Sequence, residues 1–277
     1  ISAFCNAGFD LFGIKEPFSS LTFYHSNIYL NIIIMLLIIT GGIGFLVWGD
    51  IGTHKHRIRR YSLQSKVVLM TSAVLIVLPA LYFFFCEYDH ETIHDRTIHS
   101  LFQSVTTRTA GFNTTDLAAM DESGTAIMVI LMLIGGSPGS TAGGLKTTTI
   151  AVVVIAVFSM AKGGDDINTF KRRIVSDVVK QSAVIILIYL FAVMLSSMII
   201  CSVEGLGMSQ VLFETASAAG TVGVSKGITN QISAISKIIL MIMMYGGRIG
   251  GLSLVLVFGQ RKPEAPVKRP TEQILIG

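Results

Sequence analysis

The sequence is short of charge. Asp, Glu, Lys and Arg make up 14% of its 277 residues, against roughly 25% in an ordinary soluble domain, which excludes a typical water-soluble globule. It is also short of cysteine: Cys5, Cys86 and Cys201 show no paired spacing, which excludes a disulfide framework and a cysteine zinc site. Two of the three lie in apolar stretches and read as packing residues. No signal-peptide pattern precedes the first feature, and the chain opens on Ile1-Ser2-Ala3-Phe4 without Met, which reads as a fragment lacking its N-terminal part.

What is present is apolar, at 51% hydrophobic residues. Runs at residues 27–48, 67–86, 178–200 and 232–258 each reach the roughly 20 residues that carry a helix across about 30 Å of hydrocarbon. A fifth run, 125–161, is long enough but broken in the middle by Gly, Ser, Pro and Lys, and interrupted helices border pathways. The net charge of +4 does not indicate nucleic acid, because the basic residues fall in short loops between these runs. One cluster is His54-Lys55-His56-Arg57-Ile58-Arg59-Arg60, a second is Lys162 with Lys171-Arg172-Arg173, and a third is Arg261, Lys262, Lys268 and Arg269. The positive-inside rule places all three in the cytoplasm and the acidic stretches 87–95 and 116–122 outside. The expected fold class is an all-α polytopic membrane protein.

Self-similarity appears in three Gly-centred segments: Ser2-Ala3-Phe4-Cys5-Asn6-Ala7-Gly8-Phe9, Ser104-Val105-Thr106-Thr107-Arg108-Thr109-Ala110-Gly111-Phe112, and Ser217-Ala218-Ala219-Gly220-Thr221-Val222-Gly223-Val224. Their anchoring glycines are 103 and 112 residues apart (111 − 8 and 223 − 111), a repeat with room for two crossing helices and a re-entrant loop. A second Gly landmark follows each: Gly41-Gly42-Ile43-Gly44, Gly135-Gly136-Ser137-Pro138-Gly139 and Gly246-Gly247-Arg248-Ile249-Gly250. The segments before the second and third loops, about 94–107 and 208–219, are too short and polar to span a bilayer and fit half-membrane helices. Their C-terminal ends carry partial negative charge toward the loop, which favours a cation there. A small residue or Thr followed by Gly lets the backbone turn its carbonyls toward an axis, and rings of carbonyls replace the hydration shell of potassium.

On these strings the chain resembles the Trk, Ktr and HKT superfamily of potassium transporters, most closely the bacterial KtrB/TrkH-type pore subunit. The resemblance implies helix, pore-loop, helix units around a pseudo-fourfold pore, with this chain holding the end of repeat 2 (1–60), repeat 3 (61–170), repeat 4 (171–260) and a cytoplasmic tail (261–277). A filter of potassium-coordinating backbone carbonyls is implied at Asn6, Ala7 and Gly8, at Thr109, Ala110 and Gly111, and at Thr221, Val222 and Gly223. Residues 135–148 match the family's intramembrane gate loop, with Gly135, Gly136, Ser140, Thr141, Gly143, Gly144 and Lys146 in it. Arg248, read as lying near the middle of the last helix, matches the arginine that pairs with that loop. The implied activity is potassium uptake across the cell membrane, not catalysis, with no covalently bound cofactor and with sodium coupling left open. The implied partners are a second copy of the chain, a cytosolic ring of nucleotide-binding RCK/KTN-type regulatory subunits, and membrane lipid, with the tail at a subunit contact of the dimer or of the ring.

Other motifs carry less. His90-Glu91-Thr92-Ile93-His94 fits the H-E-x-x-H zinc protease pattern, with His99 as a third ligand, and makes an intramembrane metalloprotease the enzyme alternative. It lies in an acidic outward loop rather than on a helix in a dry cleft, and no zinc site is expected. Gly139-Ser140-Thr141-Ala142-Gly143-Gly144-Leu145-Lys146-Thr147 imitates a P-loop, but Leu145 intrudes and no strand precedes it. Arg108 reads as a structural tether or a pore-mouth charge. Asn6 and Asp10 read as outer-mouth or loop-capping residues, and His25, His54 and His56 as surface residues. A structural membrane scaffold is the remaining alternative.

Overall fold

The computed structural model describes residues 1–10, 19–163 and 166–250, and the tail 261–277 lies outside them. The described chain is helical: α1 (Ile28–Ile43), α2 (Phe45–His54), α3 (Leu63–Tyr82), α4 (Ile93–Thr106), α5 (Glu122–Leu133), α6 (Thr147–Ala161), α7 (Ser176–Glu204), α8 (Met208–Ala219) and α9 (Ala234–Ile249). A two-residue antiparallel ribbon, β1 (Asn168–Thr169) and β2 (Arg172–Arg173), precedes α7. Two continuous helices, Leu63–Glu87 and Ser176–Glu204, are long and apolar enough to cross a membrane. Their outward faces stay apolar, with Leu187, Phe191 and Met198 of α7 all exposed, as helices bathed in lipid require.

Helix starts are set locally. Asn27, Ser62, Thr92 and Ser233 each accept a hydrogen bond from a backbone N–H in the first turn of α1, α3, α4 and α9, a cap that contributes about 1 kcal/mol. The run 27–48 differs from one straight span. Gly44, at φ 91 and ψ 148, leaves the helical region, and α1 and α2 meet at 94°. Gly250 ends α9 in nearly the same conformation, φ 86 and ψ 142.

The short helices α4 and α8 occupy the middle. α4 packs on α1 and α3, while α8 packs on α5, α7 and α9. Phe102 of α4 and Phe213 of α8 are fully buried, each anchoring a separate core with Met35 and Ile38 around the first and Met128 and Met132 around the second. Pro79 inside α3 has no N–H to give the Leu75 carbonyl. Ser104 Oγ of α4 donates to the carbonyls of Ile76 at 2.7 Å and Leu75 at 3.4 Å. A proline in one helix is thereby compensated by a serine in its neighbour, as hydrocarbon surroundings demand.

Two expectations change here. Cys5 and Cys86 are exposed and are not core packing residues, whereas Cys201 is half-buried and packs against the core of Ile200, Val211 and Leu240. Arg248 lies in the last turn of α9 rather than at mid-helix.

Candidate functional site

α4 ends at Thr106 and α8 at Ala219, each a few residues before its loop glycine. Within each loop the first and third residues of the triplet have positive φ and the middle one does not. The values are 47° and 62° for Asn6 and Gly8, 69° and 82° for Thr109 and Gly111, and 54° and 95° for Thr221 and Gly223. Alternating handedness turns successive peptide groups the same way. It is a strained arrangement at the non-glycine positions, costing about 1–3 kcal/mol each, and must be held by surroundings.

Those surroundings are hydroxyls that sequence reasoning passed over. Thr106 Oγ1 donates to the Phe112 carbonyl at 2.5 Å and Ser217 Oγ to the Val224 carbonyl at 2.6 Å. Ser2 Oγ accepts from Phe9 N at 3.0 Å. All three brace the residue immediately after the loop glycine. The signal available in the sequence was a hydroxyl residue five or six places before each glycine.

The three loops meet. A Cβ on Gly8 would fall 2.6 Å from the Ala110 carbonyl oxygen and 3.0 Å from Gly111 Cα. One on Gly111 would overlap the Val222 carbonyl oxygen and lie 3.2 Å from Gly8 Cα, and one on Gly223 would lie 4.0 Å from Gly111 Cα. The glycines 8, 111 and 223 are thus grouped side by side, with the carbonyls of Ala110 and Val222 reaching between loops. Thr109 Oγ1, Thr221 Oγ1 and both amide atoms of Asn6 are buried without a hydrogen-bond partner among the described residues, leaving polar capacity in the same region.

Residues 134–146 form the break between α5 and α6. Gly135 N donates to the Leu145 carbonyl at 2.8 Å and Leu145 N to the Leu133 carbonyl at 3.3 Å, closing the segment into a compact loop. It is stitched across the loops by backbone: Ser137 N to Gly42 O at 3.0 Å, Phe45 N to Gly139 O at 3.1 Å, and Gly144 N to Gly247 O at 3.2 Å. Thr141 Oγ1 donates to the Phe4 carbonyl at 3.1 Å, and a Cβ on Gly143 would overlap the Thr221 side chain. Two cations fasten the same stretch, Arg248 Nη1 to the Thr141 carbonyl at 2.6 Å and Lys146 Nζ to the Ala142 carbonyl at 2.7 Å. Gly136 and Ser140 face one another within it, where a Cβ on Gly136 would crowd Ser140 Oγ at 2.8 Å.

Buried charge supports the loops from behind. Glu214 of α8, 6% exposed, accepts from Ser225 Oγ at 2.5 Å, Lys226 N at 3.0 Å and Thr229 Oγ1 at 2.7 Å. Lys226 Nζ in turn donates to Thr125 Oγ1 of α5 at 2.6 Å. Gln103 holds the corresponding place on α4, after Phe102 as Glu214 follows Phe213, and its amide donates to Met128 Sδ at 2.9 Å. Arg108 is buried and donates to Ser72 Oγ at 3.1 Å, the geometry of a tether between the Gly111 loop and α3.

The H-E-x-x-H string does not form a metal site. His90 precedes the α4 helix while His94 lies within it, so the two do not share a helical face. Glu91 is 2.7 Å from His99 Nδ1 and His94 pairs with Asp95 at 3.2 Å. Among the described residues no three His, Cys, Asp or Glu side chains converge as a metal set.

The TrkH family, described as a cation transport protein, matches residues 1–268. The chain is 36% identical over 293 residues to the potassium/sodium uptake protein NtpJ of Enterococcus hirae, covering all of this chain and 62% of that protein. It is 34% identical over 284 residues to the Ktr system potassium uptake protein D of Bacillus subtilis, again covering all of this chain and 62% of that protein. The fold is similar to the crystal structure of the potassium transporter TrkH from Vibrio parahaemolyticus, with a TM-score of 0.73 at 16% identity over 93% of this chain and 56% of that one. The chain therefore spans about three-fifths of the length of the curated relatives it matches, and it belongs to the TrkH family of cation transport proteins.

Proposed function

We propose that this chain supplies three walls of a potassium uptake pathway, with the backbone carbonyls around Gly8, Gly111 and Gly223 as the filter and residues 135–148 as its gate. The single observation that carries the reading is the meeting of three glycine loops with the same alternation of φ sign. Carbonyls offered by such loops replace water around a dehydrated potassium ion, and the C-terminal ends of α4 and α8 add favourable potential. The membrane voltage drives entry at about 2.3 kcal/mol per charge per 100 mV.

The gate reading rests on the 134–146 loop, whose backbone bonds bridge Gly42 and Gly247 while its Thr141 and Gly143 touch the first and third glycine loops. Releasing Arg248 and Lys146 from two carbonyls removes the two cationic ties on this segment and leaves its backbone bonds to be opened. Sodium coupling is a second reading, favoured by the potassium/sodium naming of the Enterococcus hirae relative. The Bacillus subtilis relatives are named as components of a Ktr system, in keeping with a homodimer on a ring of cytosolic nucleotide-binding regulatory subunits.

Rubidium flux by the full-length protein in cells stripped of their own uptake systems is the test. Flux that is saturable in rubidium and lost on altering the glycine loops is expected; absence of rubidium flux in a folded, membrane-inserted protein overturns the reading.

A further inference from the structure

Two cavities are lined by neighbouring residues of α3 and of the β1–β2 ribbon. The first, about 580 Å³, is lined by Arg59, Lys66, Phe170, Lys171 and Arg172. The second, about 700 Å³, is largely apolar and lined by residues that include Leu63, Val67, Val152, Val178 and Ile185. Their linings are adjacent along the chain. Leu63, Lys66 and Val67 share one face of α3 at i, i+3 and i+4, and Arg172 in the cationic wall is followed by Arg173 in the apolar one.

The cationic part is short of partners. Arg173 pairs with Asp166 at 2.8 Å, but among the described residues Arg59, Lys66, Lys171 and Arg172 make no ion pair. Lys66 Nζ instead donates to the Arg59 carbonyl at 2.8 Å and has no ion-pair partner among the described residues. Phe170 and Lys171 form the tip of the β1–β2 ribbon with φ of 48° and 62°, a left-handed pair that two-residue hairpins usually reserve for Asn and Gly. Non-glycine residues held there mark a tip kept for its side chains. Phe170 is 44% exposed, an aromatic of the kind that settles at a membrane surface.

The position completes the picture. The ribbon leads into α7 and Lys66 opens α3, the two continuous membrane-crossing candidates. Basic recesses between such helices on the cytoplasmic side bind anionic head groups. The apolar cavity runs from there to the proposed gate, where Pro138, Gly139 and Lys146 form part of its wall.

We propose that this two-part recess binds an anionic phospholipid, its phosphate among Arg59, Lys66, Lys171 and Arg172 and an acyl chain in the apolar cavity beside the 134–146 loop. The occupant is set by charge complementarity at one end and apolar lining at the other. A zwitterionic lipid brings a quaternary ammonium and no net charge to the cationic end, and a free phosphate lacks the apolar match.

The experiment is native mass spectrometry of the full-length protein after delipidation, titrated with phosphatidylglycerol, phosphatidylcholine or inorganic phosphate. Phosphatidylglycerol is expected to be retained in preference to phosphatidylcholine. The R59Q/K66Q/K171Q/R172Q variant should bind it roughly tenfold more weakly, since each near-surface cation contributes to attraction of an anionic head group. Val178→Trp, at an exposed α7 position of the apolar cavity, should also lower retention. Equal retention of the two lipids, or unchanged retention in the fourfold variant, overturns the proposal. Displacement of the lipid by inorganic phosphate at equal concentration overturns the acyl seat. Unchanged retention in Val178→Trp does the same and leaves the cavity to another part of this chain. Should the fourfold variant fail to melt cooperatively in phosphatidylcholine, the exposed single change Arg172→Gln is read in its place, with the same criteria. Because lipid retention is scored without ion flux, its failure is distinct from failure of the transport reading.

Discussion

Arg248 Nη1 donates a 2.6 Å hydrogen bond to the carbonyl oxygen of Thr141, fastening the last described turn of α9 to the middle of the loop between α5 and α6. The same loop segment takes a second cation from within, Lys146 on the Ala142 carbonyl. Adjacent carbonyls of one glycine-rich loop are therefore held by two positive charges, one from another repeat.

Arg248→Gln removes the charge-assisted part of that bond. Because Arg248 is exposed, the loss is about 1 kcal/mol, equivalent to roughly a fivefold shift toward a released loop. Basal rubidium flux under non-activating conditions should rise by about that factor, and Arg248→Lys should restore part of the control. Flux equal to the parent in both variants removes Arg248 from the gate.

Gly111→Ser places a Cβ against the Val222 carbonyl oxygen and asks a side chain to tolerate φ 82. The strain is about 1–3 kcal/mol, and at about 1.4 kcal/mol per factor of ten the rubidium-over-sodium flux ratio should fall roughly tenfold. An unaltered ratio would show that Gly111 does not border the ion.

Thr106→Val keeps shape but deletes the hydroxyl that holds the Phe112 carbonyl. A buried hydrogen bond of this kind contributes about 1 kcal/mol. Ion selectivity should loosen by a few-fold with little change in expression, whereas Thr106→Ser, which retains the hydroxyl, should stay near the parent. Equal selectivity in both variants would reject the brace.

Glu214→Ala strips three donors, Ser225, Lys226 and Thr229, of their acceptor. These donors are half-buried and the Ser225 and Thr229 hydroxyls keep each other at 3.2 Å, so the loss is about 1–3 kcal/mol in all and the detergent-solubilised protein should melt at lower temperature. Glu214→Gln, which keeps an acceptor oxygen, should lose less. A melting temperature within error of the parent for Glu214→Ala would reject the clamp.

His94→Ala removes one exposed imidazole of the H-E-x-x-H string, which contacts Asp95 alone among the bonds of its side chain. Exposed substitutions of this sort stay within about 0.5 kcal/mol. Neither stability nor rubidium flux should change, and a zinc-dependent proteolysis abolished by the variant would instead revive the enzyme alternative.

The amino-acid sequence by itself carried the membrane class, the repeat and the places of α4 and α8, because hydrophobic run length and glycine spacing are local properties of the chain. It also pointed to glycines 8, 111 and 223 and to the broken segment 135–148. The tertiary structure alone decided that those glycines stand against one another and that Gly44 bends α1 into α2 through 94°. It alone paired Ser104 with the carbonyls beside Pro79, Glu214 with three later donors, and Arg248 with Thr141. Such partners are separated by tens to more than a hundred residues, and hydropathy, periodicity and spacing describe neighbours along the chain. A buried polar group needs a partner wherever packing supplies one, and only the packed helices say which residue that is.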